Sequence, residues 1–236
     1  MLRKSGKILA GVMKRLQGAI KPGITTQEID RLAEELVRQE NASCAFKGYK
    51  GYPANICVSV NEEIVHGIPG QRQLKEGDIV SLDIGINYNG YFSDAALTIP
   101  IGKIDPKKKK LIEVTKKALS EGIKQARRDN HLSDVSHAIQ SYAEKYGFSV
   151  VRQFVGHGIG LALHEEPEVP NFGKPHQGPI LKEGMVLAIE PMVNIGTWEA
   201  EILDNGWTAV TKDRLTSAHF EHTVAINANG PEILTR

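Results

Sequence analysis

The chain carries an internal repeat. Residues 74–83 (LKEGDIVSLD) are matched by residues 181–190 (LKEGMVLAIE), and each position of the second copy lies 107 residues after its counterpart. An amphipathic helical pattern precedes each copy, over residues 26–39 and 133–146, with Thr26 and Ser133 as the predicted N-caps. Two such halves, related by a pseudo-twofold axis, would bring Asp83 and Glu190 together at a central seam.

The length and composition indicate one folded unit. The 236 residues are 41% hydrophobic, which suffices for a large core, and no Pro- or Ser-rich linker separates the halves. We therefore predict a single domain over residues 1–236, with halves of roughly 1–105 and 106–236.

The overall charge and the cysteines exclude several classes of protein. A net charge of +1 gives no global sign of binding to DNA. Cys44 and Cys57 do not form a disulfide framework, so we predict reduced thiols in a cytoplasmic protein. No apolar stretch approaches the ~18–20 residues of a membrane span, and residues 1–19 are typical of an amphipathic helix of the folded domain.

Asp83 and Asp94 lie on the two arms of a predicted β-hairpin. The turn between the arms, residues 87–90 (NYNG), contains residues that tolerate positive φ. If Tyr88 and Asn89 form the loop, the two aspartates face each other. If Asn89 and Gly90 form it, Asp94 faces Gly85, and Asp83 still lies on the same face of the sheet. Like charges across a ladder are unfavourable, so we expect a divalent cation between them.

Three further side chains suit the same site. His157 lies among the glycines of residues 156–160 (GHGIG), which remove side-chain bulk around the imidazole. Glu190 ends an apolar strand that Pro191 stops, and Glu221 lies in a strand-like run. Four carboxylates balance two divalent cations, and a set of oxygen and nitrogen ligands suits Mn, Fe, Co or Zn. Paired metals of this kind activate water in hydrolases.

Several motifs in order resemble those of the type I methionine aminopeptidases, which are metal-dependent exopeptidases of the pita-bread fold. The resemblance runs from about Gly6 to the C-terminus. It is carried by residues 61–69 (NEEIVHGIP), the Asp83/Asp94 hairpin, residues 156–160, 164–167 (HEEP), 190–193 (EPMV) and 217–223 (SAHFEHT). The metal ligands of that family fall on the same five residues, Asp83, Asp94, His157, Glu190 and Glu221. The implied fold is α+β, with pseudo-twofold halves, a curved antiparallel sheet inside and helices outside.

The resemblance implies removal of N-terminal methionine from nascent polypeptides by two divalent metal ions, with a small second residue preferred, in a monomeric enzyme. It assigns Glu190 as general base, a role that the residues alone would not give to Glu190 over Glu221. It places His66 near the leaving amide nitrogen and His164 at the substrate carbonyl oxygen. The side-chain pocket would be formed by Tyr49, Tyr52, Cys57, Leu163 and Trp207, with Cys44 nearby.

Three positions depart from the family pattern. Leu163 replaces a common aromatic residue, which we expect to loosen selectivity for Met over Leu. Lys50 stands where His is frequent, and the chain starts close to its first helix without the usual short leader. None of the three touches the predicted metal ligands.

The lysine run 107–110 follows Pro106, which marks a helix start. Its simplest interpretation is a solvated helix face. The alternative is a contact with ribosomal RNA, because a basic patch binds phosphate without regard to sequence.

Three other functions fit the sequence less well. Proline-directed peptidases of the same fold usually carry an additional N-terminal domain, for which we expect no room here. Only 31 positions separate Glu190 from Glu221, which leaves no space for the insertion of type II enzymes. A non-catalytic binding protein would be expected to lose metal ligands, and a two-metal phosphatase to show more histidine, arginine or lysine at the site.

Overall fold

The computed structural model describes residues 1–236, which form four helices. These are α1 (Leu2–Ala19), α2 (Thr26–Gln39), α3 (Pro106–Gln125) and α4 (Leu132–Lys145). The predicted start of a helix at Pro106 is confirmed, and Asp105 caps it by accepting from the amide of Lys107. None of the four combines the length and the apolar content needed to cross a bilayer.

The predicted N-caps Thr26 and Ser133 were wrong. Thr25 caps α2 in a capping box with Glu28, and His131 precedes α4. The hydroxyls of Thr26 and Ser133 instead hold the loops that return to the sheet. Thr26 Oγ1 accepts from the amide of Gly70 at 2.8 Å, and Ser133 Oγ accepts from the amide of Gln177 at 2.7 Å.

All strand pairs are antiparallel. The strands are β1 (Ser43–Cys44), β2 (Cys57–Val60), β3 (Glu63–Val65), β4 (Ile79–Tyr88), β5 (Tyr91–Pro100), β6 (Ser149–Val150), β7 (Gly156–Gly158), β8 (Glu165–Val169), β9 (Val186–Ile189), β10 (Met192–Asn194), β11 (Ala200–Ile202), β12 (Ala209–Thr211), β13 (Ser217–His219), β14 (His222–Asn227) and β15 (Gly230–Ile233). They form four sheets, with orders β1-β4-β2 (β5 also pairs with β4), β13-β10-β6, β11-β12-β3 and β15-β14-β9-β7-β8. The predicted α+β class is confirmed.

The β4–β5 hairpin follows the second of the two predicted registers. Tyr88 pairs with Tyr91, so Asn89 and Gly90 form the loop, with φ of 53° and 82°. Positive φ at both positions is what a two-residue type I′ turn requires. Asp94 pairs with Gly85, and Asp83 pairs with Ala96. Both carboxylates therefore lie on one face of the sheet.

The repeat is visible in the backbone. The amide of Thr26 donates to Arg72 O, and the amide of Leu132 donates to Pro179 O, both at 2.9 Å. The helix α4 lies 106 residues after α2, whereas the strand positions lie 107 residues apart. One fewer residue therefore separates the two helix starts than separates the two strands, which places the true cap of α4 two residues before Ser133, whereas the cap of α2 lies one residue before Thr26.

Each half has its own core. In the first half, α1 and α2 bury Leu9, Leu16 and Ile29 against strands β2, β4 and β5. In the second half, α3 and α4 bury a cluster that includes Leu111 and Ile139 against β6, β9 and β14. Helices thus cover the outer faces, and the inner faces of the sheets remain for polar side chains.

The halves are joined by hydrogen bonds between β5 and residues 219–223. Thr98 Oγ1 donates to His219 O at 2.9 Å and accepts from His219 N at 2.8 Å. Thr223 Oγ1 likewise donates to Asp94 O at 2.7 Å and accepts from Asp94 N at 2.9 Å. Between them, the amide of Glu221 donates to Ala96 O at 2.8 Å. This seam brings Asp94 and Glu221 to the same place.

Candidate metal and peptide site

The five predicted metal ligands line one cavity of about 260 Å³. Asp83 and Asp94 project from β4 and β5, His157 from β7, Glu190 from the end of β9, and Glu221 from the link between β13 and β14. Ligand atoms of Asp94, His157 and Glu221 lie within 4.8 Å of one another. Nε2 of His157 lies 3.5 Å from Oε1 of Glu190. The structure thus brings all five residues together.

The carboxylates of this cluster are poorly solvated. Burial raises the pKa of Asp83, Glu190 and Glu221 well above the usual range, and the negative charges of the other acids raise it further. Burial likewise raises the pKa of Asp94 to about 7. Oε1 of Glu221 is buried without a hydrogen-bond partner. Divalent cations would offset both the repulsion and the lost hydration, so the residues fit a metal site.

The imidazole of His157 is oriented for metal binding. Its Nδ1 lies 2.8 Å from the carbonyl oxygen of Gly158, so Nδ1 carries the proton and Nε2 offers its lone pair to the cavity. The flanking glycines permit close packing of strands. A Cβ at Gly156 would lie 2.3 Å from Ala188 O, and one at Gly158 would lie 2.3 Å from Glu166 O. Glycine is therefore required by the neighbouring strands β9 and β8.

His66 and His164 line the same cavity beside the ligands. Burial lowers the pKa of His66 to about 4, and its ring packs edge-on against Phe154 at 5.6 Å. Its backbone adopts φ of 60°, a left-handed conformation that is uncommon for histidine. His164 is exposed at its surface, and the partial burial of its ring, together with His157 and Lys50, lowers its pKa to about 3. Both imidazoles are therefore neutral at physiological pH.

The rest of the cavity is largely apolar. Of the five predicted pocket residues, Tyr49, Tyr52, Cys57 and Trp207 line it. The hydroxyl of Tyr52 donates to Gly67 O at 3.0 Å, and its ring meets Trp207 edge-on at 5.1 Å.

Leu163 was expected in this pocket and Cys44 near it, and neither residue lines the cavity. Leu163 is not among the lining residues. It is 2% exposed and packs behind the wall with Phe46, Tyr52 and Cys57. Cys44, expected nearby, is half-buried and packs against the core of the first half. Leu163 therefore lies behind the lining residues, and its effect on selectivity stays a prediction.

Five lining residues were not predicted from the sequence, namely Phe46, Val65, Gln153, Phe154 and Val155. Three of them come from the loop before β7, and only the packing of the two halves places that loop at the cavity. His219 was also not predicted as a site residue, and its Nε2 lies 3.5 Å from Oε2 of Glu190. The sequence signal for His219 was its place in the motif of residues 217–223 (SAHFEHT).

Comparison with known proteins agrees with this geometry. Residues 1–228 match the family model described as metallopeptidase family M24. The chain is 54% identical over 235 residues to the methionine aminopeptidase of Clostridium perfringens, covering 100% of this chain and 94% of that protein. It is 52% identical over 236 residues to methionine aminopeptidase 1 of Bacillus subtilis, covering 100% and 95%.

Solved structures give the same result. The methionine aminopeptidase of Thermotoga maritima superposes with a TM-score of 0.97 at 47% identity, covering 99% of this chain and 94% of that one. The prolidase of Pyrococcus furiosus superposes with a TM-score of 0.81 at 24% identity, covering 100% and 62%, which shows a shared fold alone. The predicted pita-bread fold is confirmed. The chain belongs to metallopeptidase family M24 and, within it, to the methionine aminopeptidases.

Proposed function

We propose that this chain removes the N-terminal methionine from nascent proteins and peptides by hydrolysing the first peptide bond, with a small second residue preferred. The observation that carries the proposal is the cluster of four buried carboxylates with raised pKa around one neutral imidazole. Such a cluster is costly in the folded chain unless cations neutralise it.

The proposed cations are two divalent metal ions, drawn from Co, Mn, Fe and Zn. They would be held by the residues of the cluster, namely Asp83, Asp94, His157, Glu190 and Glu221. The four negative charges of the carboxylates balance the four positive charges of two dications, and the neutral imidazole adds a nitrogen ligand. When bound, such ions lower the pKa of water and polarise the scissile carbonyl.

Glu190 is the proposed general base as well as a ligand. Its carboxylate is 12% exposed and lines the cavity, where it is within reach of a water molecule that it could deprotonate. Each of its oxygens faces an imidazole, Oε1 facing His157 and Oε2 facing His219, both at 3.5 Å. These two contacts hold the carboxylate at the cavity. In the proposed reaction it takes a proton from the attacking water and delivers it to the leaving amine.

His66 and His164 are proposed to bind the peptide bond. The hydroxyl of Tyr49 lies 2.9 Å from Nδ1 of His164, and as a donor it leaves the proton of that imidazole on Nε2. A neutral Nε2–H can then donate to the carbonyl oxygen as charge develops there. His66, on the other side of the cavity beside Trp207, is proposed to lie near the leaving nitrogen.

The apolar part of the cavity is proposed to hold the methionine side chain. Tyr49, Tyr52, Cys57 and Trp207 line it, and aromatic rings make favourable contacts with a thioether sulfur. The residue after methionine would lie against the carboxylate-lined wall, where a bulky side chain has little space. Preference for a small second residue follows.

A metal-binding measurement tests the proposal. Isothermal titration of the chelated chain with Mn²⁺ or Co²⁺ should give two ions per chain, and Asp94→Asn should weaken binding strongly. The matched control is Asp204→Asn, because Asp204 is exposed on the β11–β12 loop and should leave the titration unchanged. Failure of the wild-type chain to bind any divalent ion would overturn the proposal.

We propose further that residues 1–236 form a single catalytic domain and act as a monomer in the cytoplasm. The seam between the halves supports the single domain, since the β5 contacts tie residues 1–105 to residues 106–236. The two free cysteines, Cys44 and Cys57, support a reducing compartment.

Contact with ribosomal RNA is proposed through the start of α3. Lys107, Lys109 and Lys110 are exposed there, whereas Lys108 donates to Gly77 O at 2.8 Å and to Asn61 Oδ1 at 3.0 Å. Changing the three exposed lysines to Glu should reduce co-sedimentation with ribosomes. The control changes three exposed lysines of α1, Lys4, Lys7 and Lys14, in the same way. Equal binding of both variants to ribosomes would contradict the proposed RNA contact at α3.

A further inference from the structure

His219 is a buried histidine beside the five candidate ligands. The residue is 1% exposed, and its buried Nε2 has no hydrogen-bond partner. That nitrogen lies 3.5 Å from Oε2 of Glu190, which is within the range of an ion pair and slightly long for a hydrogen bond. A buried polar nitrogen aimed at a carboxylate needs an explanation, because such groups are normally satisfied.

The backbone fixes the two residues relative to each other. Strand β13 pairs with β10 so that His219 faces Met192, two residues after Glu190. The amide and carbonyl of His219 both bond to Thr98 Oγ1. On the other side, Asn171 Nδ2 donates to Glu190 O at 3.1 Å. The approach of the imidazole to the carboxylate is therefore set by the fold.

The two imidazoles that flank Glu190 differ in their free nitrogens. His157 uses Nδ1 as donor to Gly158 O, which leaves the Nε2 lone pair for a metal. His219 instead presents Nε2 to an oxygen of Glu190, and an ionised carboxylate can accept a hydrogen bond but cannot donate one. A proton on Nε2 of His219 is the arrangement that satisfies both atoms.

We propose that His219 is a positioning residue whose Nε2–H holds Oε2 of Glu190 and so fixes the orientation of that carboxylate. Oε1 then remains directed toward His157 and the cavity. This role rests on the proposed function, in which Glu190 is both ligand and base. Partners that orient ligand side chains in this way typically contribute about 10–100-fold to activity or metal affinity.

The test compares His219→Leu with His219→Gln in the full chain. Gln can place an amide N–H near Nε2 of the native histidine, whereas Leu has a similar volume and no donor. With Met-Ala-Ser and Mn²⁺, we expect the Leu variant to lose about 10–100-fold in kcat with KM within threefold, and the Gln variant to stay within about fivefold of wild type. Both variants should still bind two metal ions in a titration of the chelated chain.

Several outcomes would overturn the role. Equal losses of kcat in the Leu and Gln variants would make His219 a packing residue, and loss of one bound ion in the Leu variant would make it a ligand. Wild-type kcat in the Leu variant would remove any role. If the Leu variant fails to fold, His219→Asn gives the same comparison, because its shorter amide does not reach Oε2.

Measurements on the wild-type chain distinguish a failure of the proposed function from a failure of the proposed role of His219. Absence of metal binding and of Met-Ala-Ser cleavage in the wild type would contradict the proposed function itself. A wild type that binds metal and cleaves, with variants that depart from the expected pattern, contradicts the role of His219 alone.

Discussion

The hydroxyl of Tyr49 lies 2.9 Å from Nδ1 of His164, and the two rings stack with centroids 5.0 Å apart. The ring of His164 in turn lies 4.1 Å from that of His157. Tyr49 thus occupies one nitrogen of His164 and restrains its ring, so the other nitrogen is free to serve the substrate. A side chain first assigned to the methionine pocket also orients a proposed catalytic group.

Replacing His164 with Ala should lower kcat by about 10²–10³ while leaving metal affinity nearly unchanged. The reason is that His164 is assigned to the oxygen on which charge develops in the transition state. Steady-state kinetics with Met-Ala-Ser and calorimetric metal titration of the same variant check this. A defect mainly in metal affinity would reassign His164 as a ligand.

Tyr49→Phe should lower kcat by about tenfold with a smaller change in KM. The phenyl ring keeps the stack and the apolar wall, and the variant loses only the hydrogen bond to Nδ1, whose net worth is about 0.5–1.5 kcal/mol. The control is Tyr142→Phe, because Tyr142 lies on α4 away from the cavity. A large rise in KM with kcat unchanged would limit Tyr49 to the pocket wall.

Asp94→Asn should abolish detectable turnover and leave the fold intact. The change removes a ligand charge, whereas the hairpin depends on its Asn89-Gly90 turn and its apolar residues. Thr223 bonds only the backbone of Asp94, so that contact survives the substitution. Near-wild-type activity at saturating metal, with circular dichroism unchanged, would contradict the assignment of two metals.

The metal-free chain should become less stable as pH rises from 6.5 to 8.0. Asp94, with its pKa raised to about 7, and the other cluster acids keep protons in the folded chain that the unfolded chain has already released. Each such proton lowers the free energy of unfolding by about 1.4 kcal/mol per pH unit. Burial also lowers the pKa of five histidines, which the unfolded chain still protonates by about half at pH 6.5, so they oppose the fall at the start of the window and no longer do so near pH 8.0. These are His66, His157, His164, His219 and His222.

Thermal melts with and without Mn²⁺ measure this effect. The melting temperature of the chelated chain should fall across the window, and added metal should restore more stability at pH 8.0 than at pH 6.5, because metal competes with protons for the ligands. In Asp94→Asn the fall should be shallower. A melting temperature that rises with pH in the chelated wild type would contradict the burial of ionisable acids at this site.

Much of the site could be predicted because its ligands carry local signals. The period of two along β4 and β5 places Asp83 and Asp94 on one face whichever even-length turn forms, and the structure keeps them there. The prediction of Thr26 as the N-cap of α2 failed for a local reason. Thr25 and Thr26 are adjacent hydroxyl residues, and only the loop at Gly70 decides which of them caps the helix.

The remaining parts of the site depend on tertiary packing. Phe154 approaches His66 only after the two halves have joined, and nothing in its own segment signals that contact. Leu163 was assigned to the pocket by its position in the family pattern, but the side chain packs against the Gly85 region behind Phe46. Burial alone also does not reveal that Nε2 of His219 faces Glu190.

The central claim is cleavage after an N-terminal methionine, and a peptide panel with the chelated and reloaded chain tests it most directly. Met-Ala-Ser should be cleaved far faster than Met-Leu-Ser, because a bulky second side chain meets the carboxylate-lined wall. Leu-Ala-Ser should be slower than Met-Ala-Ser by about 10–200-fold, since a small mismatch in an apolar pocket is worth about 1–3 kcal/mol. Ala-Pro-Ser should be cleaved least, and no peptide should be cleaved before metal is restored. A kcat/KM on Ala-Pro-Ser comparable to that on Met-Ala-Ser would contradict the account in favour of a proline-directed peptidase.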